Sequence, residues 1–334
     1  MDELKDSLIN KYQQLEKINK LEEVKEGYLS KNHIVYTDKY KYFLKEYRDV
    51  YTKEEIIDIH KVGRIFHKNN IPIILPIRNI KNETFFTVNN HRYSLFPFVE
   101  GVKVDREHIT TKETIESIAK TLANIHMISL NGLPIKIHHE DSFINIENFF
   151  TGSQIIFNIL NSIKDKTEFD QLALKTMDLK MSLLKENEEL IRSFVGVKDH
   201  LLHGDYHDKN IFLDNNGDVK YIFDLEKAKI GDRLQELVRS MDYIFLNGEY
   251  GKENIENAKL YVQTYYDIYP FDKEDLINTL KGYWLKKATS LWIFNTHYVE
   301  KSNRVDCFLE NELALLQYFP DNYIKVADIL MNDF

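Results

Sequence analysis

The sequence contains only one cysteine, Cys307, so no disulfide bond can form within the chain. No apolar run in it approaches the roughly 20 residues that a membrane-spanning helix requires. The first six residues are polar and acidic, unlike the start of a secretory signal. These absences exclude a scaffold held by internal disulfides, and we expect a cytoplasmic protein that does not bind a membrane.

Basic residues are fewer than acidic ones. The chain has 44 Lys and Arg residues and 53 Asp and Glu residues, which gives a net charge of −9. A protein that binds nucleic acid needs a basic face to meet the phosphates, so we expect no nucleic-acid partner. Hydrophobic residues make up 43% and charged residues 29% of the chain, as in ordinary globular proteins. A length of 334 residues is too great for one small core and suits two lobes.

Segment 201–210 contains the most informative motif, His203-Gly204-Asp205 followed by Asn210. The two leucines before the motif predict a buried segment, and Gly204 permits a tight backbone path that other residues resist. We therefore expect Asp205 at the apex of a loop, where a hydroxyl group can donate a proton to it. An Asp followed five residues later by an Asn is a spacing that kinase-like phosphotransferases use in their catalytic loop.

A predicted β-hairpin follows the motif and ends at a second acid, Asp224. Residues 211–213 and 219–223 have the composition of short strands, and the Asn-Asn-Gly of residues 215–217 is a strong turn signal. Pairing of these strands brings Asn210 and Asp224 close together, although they are 14 positions apart. Two oxygen ligands from the protein, completed by phosphates and waters, are a usual way of binding magnesium.

At these residues the chain resembles the aminoglycoside phosphotransferase and choline kinase family of small-molecule kinases, which carries His-Gly-Asp where protein kinases carry His-Arg-Asp. The resemblance implies an α+β, protein-kinase-like fold with a small, β-rich, nucleotide-binding lobe over residues 1–97 and a larger, mainly helical lobe over residues 98–334. It implies that Asp205 is the catalytic base and that Asn210 and Asp224 bind Mg²⁺. The implied reaction transfers the γ-phosphate of ATP or GTP to a hydroxyl group of a small molecule.

The same resemblance assigns residues to the nucleotide. Lys45, on a predicted strand, is expected to contact the α- and β-phosphates. Glycine is scarce in the preceding loop, where Ser30 and Asn32 can offer hydrogen-bond donors to phosphate. Segment 94–101 resembles the hinge between the lobes. There the carbonyl of Pro97 would accept from the base, and the amide of Val99 would donate to it.

Kinase-like folds pair the phosphate-binding lysine with an acid on the next helix. Glu54 and Glu55 are the candidates, but both lie early in the predicted helix. The expected position falls nearer His60, which is a weaker partner when neutral. Because of this departure, the alternative is a non-catalytic, kinase-like protein with a binding or structural role, such as a spore-coat component. Glu236, at the start of a later helix, is expected to brace the catalytic loop.

The acceptor is expected to bind between the catalytic loop and the carboxy-terminal helices. These helices combine aromatic and acidic residues, namely Trp284, Trp292, Glu300, Asp306 and Glu310. Aromatic rings and carboxylates together can hold an ammonium group by cation–π and ionic contacts. We therefore expect a positively charged hydroxyl compound, such as an aminoglycoside or an amino alcohol. The family resemblance is also compatible with homoserine or a sugar as the acceptor.

Hydrophobic periodicity predicts the helices and strands on which these residues lie. Apolar residues at helical spacing predict an amphipathic helix over residues 4–24. A second helix is predicted over residues 54–69, and helices are predicted to dominate past Gly101. Strands are predicted over residues 28–35, 40–47, 85–88 and 91–98.

Overall fold

The computed structural model describes residues 2–24, 31–104, 111–133, 135–138, 144, 146–193 and 200–332. A five-stranded antiparallel sheet lies in the first part of the chain. Its strands are Lys20–Val24 (β1), Asn32–Tyr36 (β2), Lys41–Tyr47 (β3), Phe86–Val88 (β4) and His91–Pro97 (β5). They lie in the order β1-β2-β3-β5-β4, so β3 is central. Tyr42 and Leu44 of β3 are buried on one face, as the two-residue period of a strand requires.

Two helices accompany this sheet. They are α1 (Asp2–Lys11) and α2 (Lys53–Lys68). The prediction of one helix over residues 4–24 is wrong beyond residue 11, because residues 20–24 pair as an edge strand with residues 32–36. Tertiary strand pairing outweighs the helical spacing of the apolar residues. α2 begins with a capping box in which the Thr52 hydroxyl accepts from the backbone N–H of Glu55.

Helices dominate the remainder of the described chain and bury the larger hydrophobic core. Helix α3 packs against α8, and α9 packs against α11. Full burial of each Leu, Ile or Phe side chain in such a core contributes about 1.5–3 kcal/mol before entropy is counted. The bounds are Lys112–His126 (α3), Ile146–Ser162 (α4), Glu168–Glu186 (α5), Glu188–Ser193 (α6), Arg233–Met241 (α7), Lys252–Ile268 (α8), Lys273–Thr289 (α9), Trp292–Phe294 (α10) and Leu309–Met331 (α11).

Two small sheets position the motif residues within this helical part. Their strands are Val102–Lys103 (β6), His200–Leu202 (β7), Ile211–Leu213 (β8), Val219–Ile222 (β9) and Lys229–Gly231 (β10). Strands β6, β8 and β9 form one sheet, and β7 pairs with β10. The predicted hairpin is present as β8 and β9, with Ile211 opposite Ile222.

The predicted α+β class, with a β-rich first part and a helical second part, is confirmed. The placing of a domain boundary after residue 97 stays a prediction. Among the helices of the described residues, each is too short or too polar to cross a lipid bilayer.

Candidate active site

The catalytic-loop segment 203–210 connects β7 to the β8–β9 hairpin. Gly204 has a φ of +83°, and a Cβ atom there would lie 1.7 Å from the carbonyl oxygen of Lys227. An L side chain would be strained by this φ and would collide with the backbone, so glycine is required. The backbone N–H of Asp205 then donates to Nδ1 of His203 at 3.2 Å, which fixes the turn around the acid.

Glu236, in the first turn of α7, braces this loop. Its Oε2 accepts from the backbone N–H of His203 at 3.0 Å, and its Oε1 accepts from that of Gly204 at 2.5 Å. The Nε2 of His126, from α3, lies 2.9 Å from the same carboxylate. Burial alone would raise the pKa of Glu236, but its hydrogen bond to His126 lowers it. The carboxylate therefore stays ionised and ties the loop to two helices.

Both oxygens of the Asp205 carboxylate contact basic side chains. The Nη2 of Arg239 lies 2.5 Å from Oδ1, and the Nζ of Lys227 lies 3.0 Å from Oδ2. His207 is 3.6 Å from the second oxygen. Burial alone would raise the pKa of Asp205, but the contact with His207 and the charges of Arg239 and Lys227 hold it well below its ordinary value. Asp205 is therefore an anion at neutral pH and can accept a hydrogen bond from a hydroxyl group.

The hairpin brings Asn210 and Asp224 together. The backbone N–H of Phe223 donates to the carbonyl of Asn210 at 3.0 Å. The Nδ2 of Asn210 donates to the carbonyl of Asp205 at 2.9 Å, so its amide oxygen is the group left to act as an acceptor or ligand. Asp224 has a φ of +67°, which is unusual outside glycine, and such residues concentrate at functional sites. An amide oxygen beside a carboxylate is a donor set that fits Mg²⁺.

Lys45 reaches this pair from the first sheet. Its Nζ lies 2.7 Å from Oδ1 of Asp224 and 2.8 Å from Oε1 of Glu226, and the residue is only 3% exposed. Burial alone would lower the pKa of Lys45, but the two carboxylates raise it above its ordinary value. Lys45 in turn lowers the pKa of Asp224 against the effect of burial. The cluster is therefore an ionised lysine held between acids that follow the hairpin.

The acid expected on α2 does not provide this contact. Glu55 completes the capping box, since its Oε2 accepts from the backbone N–H of Thr52 at 2.7 Å. Glu54 is exposed on the first turn. The expectation that either residue pairs with Lys45 is wrong. Glu226, which sequence reasoning gave no role, is the second carboxylate at the ammonium.

His60 lies in α2 and is buried beside β3. Its Nε2 is 2.8 Å from the Tyr47 hydroxyl, and its Nδ1 is 2.7 Å from Oγ1 of Thr84. Burial, with the charges of Arg64 and Lys45, lowers the pKa of His60 to about 3. His60 is therefore a neutral, structural residue at neutral pH.

The remaining nucleotide residues have different placements. Ser30 lies outside the described residues. Asn32 begins β2 and lies opposite Lys45 in the strand register. Pro97 ends β5, and with Val99 it lines an open cavity of about 850 Å³. Residues 73–75 line both this cavity and the pocket that contains Lys45, so the two adjoin. Their roles toward a nucleotide stay predictions.

A family model described as the phosphotransferase enzyme family (APH) matches residues 20–259, well over half of the chain. The chain belongs to this family. Its fold class and its class of enzyme are thus those that the motif predicted, a kinase-like phosphotransferase. No curated protein is detectably similar to it.

Several solved structures share the fold of this phosphotransferase. Spectinomycin phosphotransferase APH(9)-Ia, in complex with ADP and spectinomycin, is 17% identical over 98% of this chain and 97% of that chain, with a TM-score of 0.69. A microcompartment-associated aminopropanol kinase is 13% identical over 96% and 98%, with a TM-score of 0.64. The Plasmodium vivax ethanolamine kinase is 15% identical over 94% and 85%, with a TM-score of 0.56.

A cavity of about 430 Å³ opens beside the catalytic loop of this phosphotransferase, between α7, α9 and α11. We call it the acceptor cavity, because Gly204 and Arg239 at its edge adjoin Asp205. Trp292 lines it and is 42% exposed, whereas Trp284 is buried in the core. Of the two tryptophans that the sequence suggested, only Trp292 can therefore touch a ligand there.

The acids predicted for the acceptor site lie elsewhere. Glu300 pairs with Arg304 at 2.7 Å, and Asp306 pairs with His297 at 2.9 Å. Glu310 is exposed at the start of α11, and none of the three acids lines the acceptor cavity. This cavity therefore gives no support to a cationic acceptor held by these three acids, and the charge of the acceptor stays a prediction.

The structure also brings to the site residues that sequence reasoning missed. Arg239 lies two turns into α7, and Lys227 lies just behind the hairpin, yet both contact Asp205. In the sequence, only closeness to other site residues marks them: Lys227 directly follows Glu226, and Arg239 lies three residues after Glu236. Their contacts depend on how the helical part folds back on the loop.

Proposed function

We propose that this protein is a Mg²⁺-dependent kinase that transfers the γ-phosphate of ATP or GTP to a hydroxyl group of a small molecule. One observation carries the proposal: Asp205, the Asn210–Asp224 pair and Lys45 converge on one site, although Lys45 comes from a separate sheet. An anionic acid, a hard-oxygen donor pair and a buried ammonium are the groups that phosphoryl transfer requires.

On the nucleotide side, Lys45 would exchange part of its carboxylate contact for oxygens of the α- and β-phosphates. Asn210 and Asp224 would hold Mg²⁺, which supplies charge neutralisation on the phosphates when bound. Asn32 would contribute a donor near the phosphates, and Pro97 and Val99 would offer backbone groups to the base. These roles are supported by the register of Asn32 opposite Lys45 and by the adjoining cavities.

On the acceptor side, Asp205 accepts a hydrogen bond from the hydroxyl group and orients it. As the new O–P bond forms and the bond from the γ-phosphorus to the bridging oxygen breaks, the hydroxyl proton passes to Asp205. The nucleoside diphosphate leaves with the bridging oxygen. Because the pKa of Asp205 is low, its carboxylate is ionised and can accept this hydrogen bond and orient the hydroxyl group.

The first acceptors to screen are those that the neighbouring structures name. Spectinomycin, aminopropanol and ethanolamine represent aminoglycoside-like compounds and amino alcohols. Release of ADP or GDP is measured with each compound, and calorimetry measures binding of Mg-ATP and Mg-GTP. We expect binding of at least one Mg-nucleotide and diphosphate release that requires an acceptor.

The second candidate is a non-catalytic, kinase-like binding or structural protein. The observation that favours it is that Lys45 is held by Asp224 and Glu226 rather than by an acid of α2. The same calorimetry separates the two functions. Absence of Mg-nucleotide binding at millimolar concentrations would contradict the kinase and favour the non-catalytic protein.

A further inference from the structure

We infer that the acceptor of this phosphotransferase carries an anionic group, a carboxylate or a phosphate, besides the hydroxyl that receives the phosphoryl group. The inference rests on the proposed function and concerns the acceptor cavity. Lys227 and Arg239 line this cavity and also contact the Asp205 carboxylate. A molecule bound in the cavity would therefore meet Asp205 and the basic side chains together.

Basic side chains outnumber acidic ones in the lining. The five basic residues are Lys227, Lys229, Arg239, Lys286 and Lys287, and the three acidic ones are Glu236, Asp242 and Glu312. The imbalance is local, because the chain as a whole has a net charge of −9. A concave basic surface within an acidic protein concentrates anions at that place.

Each of the three acids is engaged by the protein itself. Glu236 holds the catalytic-loop backbone, as described above. The Oδ2 of Asp242 accepts from the Tyr283 hydroxyl at 2.7 Å. Glu312 pairs with the buried Lys180 at 2.8 Å. All three carboxylates therefore have a partner within the protein.

Two of the cations frame one aromatic ring in the lining. The Cζ of Arg239 lies 4.7 Å from the ring centroid of Tyr243, and the Nζ of Lys287 lies 4.9 Å from it. Lys287 also lies 3.4 Å from the Tyr243 hydroxyl, which is a long hydrogen bond. Burial alone would lower the pKa of Lys287, but Tyr243, Glu312 and Asp242 raise it. Lys287 therefore stays a cation in the cavity wall.

One buried hydrogen-bond donor of Arg239, its Nη1, is not used by Asp205. Its Nη2 contacts Asp205, whereas its Nη1 is buried and has no hydrogen-bond partner within the described structure. A buried charged donor without an acceptor is costly. An anionic oxygen of the acceptor, placed between Arg239 and Lys287, would give both cations a strong acceptor. The hydroxyl of the same molecule would then lie on the Asp205 side.

The test is a panel of small acceptors that differ in charge. Glycerate and glycerol 3-phosphate are compared with glycerol and ethanolamine, using diphosphate release at saturating Mg-nucleotide. For compounds that are not turned over, affinity is measured with Mg-ADP bound, using the fluorescence of Trp292 in the cavity wall. We expect a preference for at least one anionic compound over glycerol, and the two anions distinguish a carboxylate site from a phosphate site.

Variants of α9 connect that preference to the cavity. Lys287→Met should weaken kcat/KM or affinity for the anionic compound by about 10- to 100-fold, as expected for a charge-assisted hydrogen bond. It should reduce kcat/KM for glycerol far less than kcat/KM for the anionic compound. Lys281→Met, on the same helix but outside the cavity lining, is the control. The readout is the ratio of kcat/KM for the anionic compound to kcat/KM for the neutral compound. A general loss of folded protein does not change this ratio.

Two results would overturn the inference and leave the proposed kinase standing. One is turnover or binding confined to glycerol and ethanolamine. The other is an equal loss for anionic and neutral compounds in Lys287→Met. Failure of the proposed function looks different, because no Mg-nucleotide would then bind in the calorimetric test.

Discussion

The Nζ of Lys45 lies 2.8 Å from Oε1 of Glu226, a residue that follows the β8–β9 hairpin. Asp224, two residues earlier, shares the same ammonium at 2.7 Å. Lys45 comes from β3 of the first sheet, so this contact joins the sheet to the segment that follows the β8–β9 hairpin. The site is thus held together by one buried cation between two partly buried acids.

Removal of Lys45 should destabilise the fold because it leaves two neighbouring carboxylates without their cation. Lys45→Met keeps most of the side-chain volume, and we expect a loss of about 3–5 kcal/mol in the free energy of unfolding. Lys41→Met, at an exposed position on the same strand, should change it by less than about 1 kcal/mol. Denaturant titration of both variants measures the difference. Equally small losses of unfolding free energy in the two variants would show that the fold tolerates the two carboxylates without Lys45.

Asp224→Ala should weaken the metal-dependent part of nucleotide binding, because it removes the carboxylate of the proposed Mg²⁺ pair. Calorimetry with ATP is performed with Mg²⁺ and again with EDTA, and only the Mg²⁺ value is expected to fall. Asp218→Ala, in the exposed turn of the same hairpin, is the control. Unchanged Mg-ATP affinity in Asp224→Ala would contradict the proposal that Asp224 binds Mg²⁺.

Gly204→Ala should abolish activity and cost more than about 4 kcal/mol of stability. Its Cβ would lie 1.7 Å from a backbone carbonyl oxygen, at a φ of +83°. Gly132→Ala is a matched control, since Gly132 also has a positive φ of +73° but nothing within 4 Å of an added Cβ. Gly132→Ala should be destabilised only by the backbone strain that the added Cβ introduces, about 1–2 kcal/mol. Similar unfolding midpoints for the two variants would contradict the assigned collision.

His60 should make the fold sensitive to acid. Its folded pKa is lowered to about 3, so below its ordinary value of 6.5 the unfolded chain binds a proton that the folded chain does not. Stability from this residue is therefore lost as the pH falls from 6.5 towards 3, by about 2 kcal/mol at pH 5. His60→Gln cannot titrate and should show a smaller loss between pH 6.5 and pH 5. Parallel pH dependences for the two proteins would contradict a neutral, buried His60.

The sequence alone predicted the parts of the site that lie close together along the chain. The turn at Gly204, the hairpin and the proximity of Asn210 to Asp224 follow from local turn chemistry and strand composition. The mixed α+β class was implied by the family resemblance that the motif carries. These features depend on interactions between residues that are near in sequence, which a pattern can reveal.

Contacts between distant segments escaped prediction. Glu226 meets Lys45 because the sheet and the hairpin face each other, and Arg239 meets Asp205 because α7 returns to the loop. The strand over residues 20–24 was mistaken for helix because its partner strand decides its conformation.

Replacement of Asp205 tests the central claim most directly. Transfer of labelled γ-phosphate to a hydroxyl acceptor is measured for the wild type, for Asp205→Asn and for Asp208→Asn. Asp208 is a nearby acid that contacts the other ring nitrogen of His207. Asp205→Asn should bind Mg-nucleotide nearly as the wild type does and lose about 10²–10⁴-fold in turnover, whereas Asp208→Asn should stay close to wild type. Turnover in Asp205→Asn equal to that of the wild type would contradict the account.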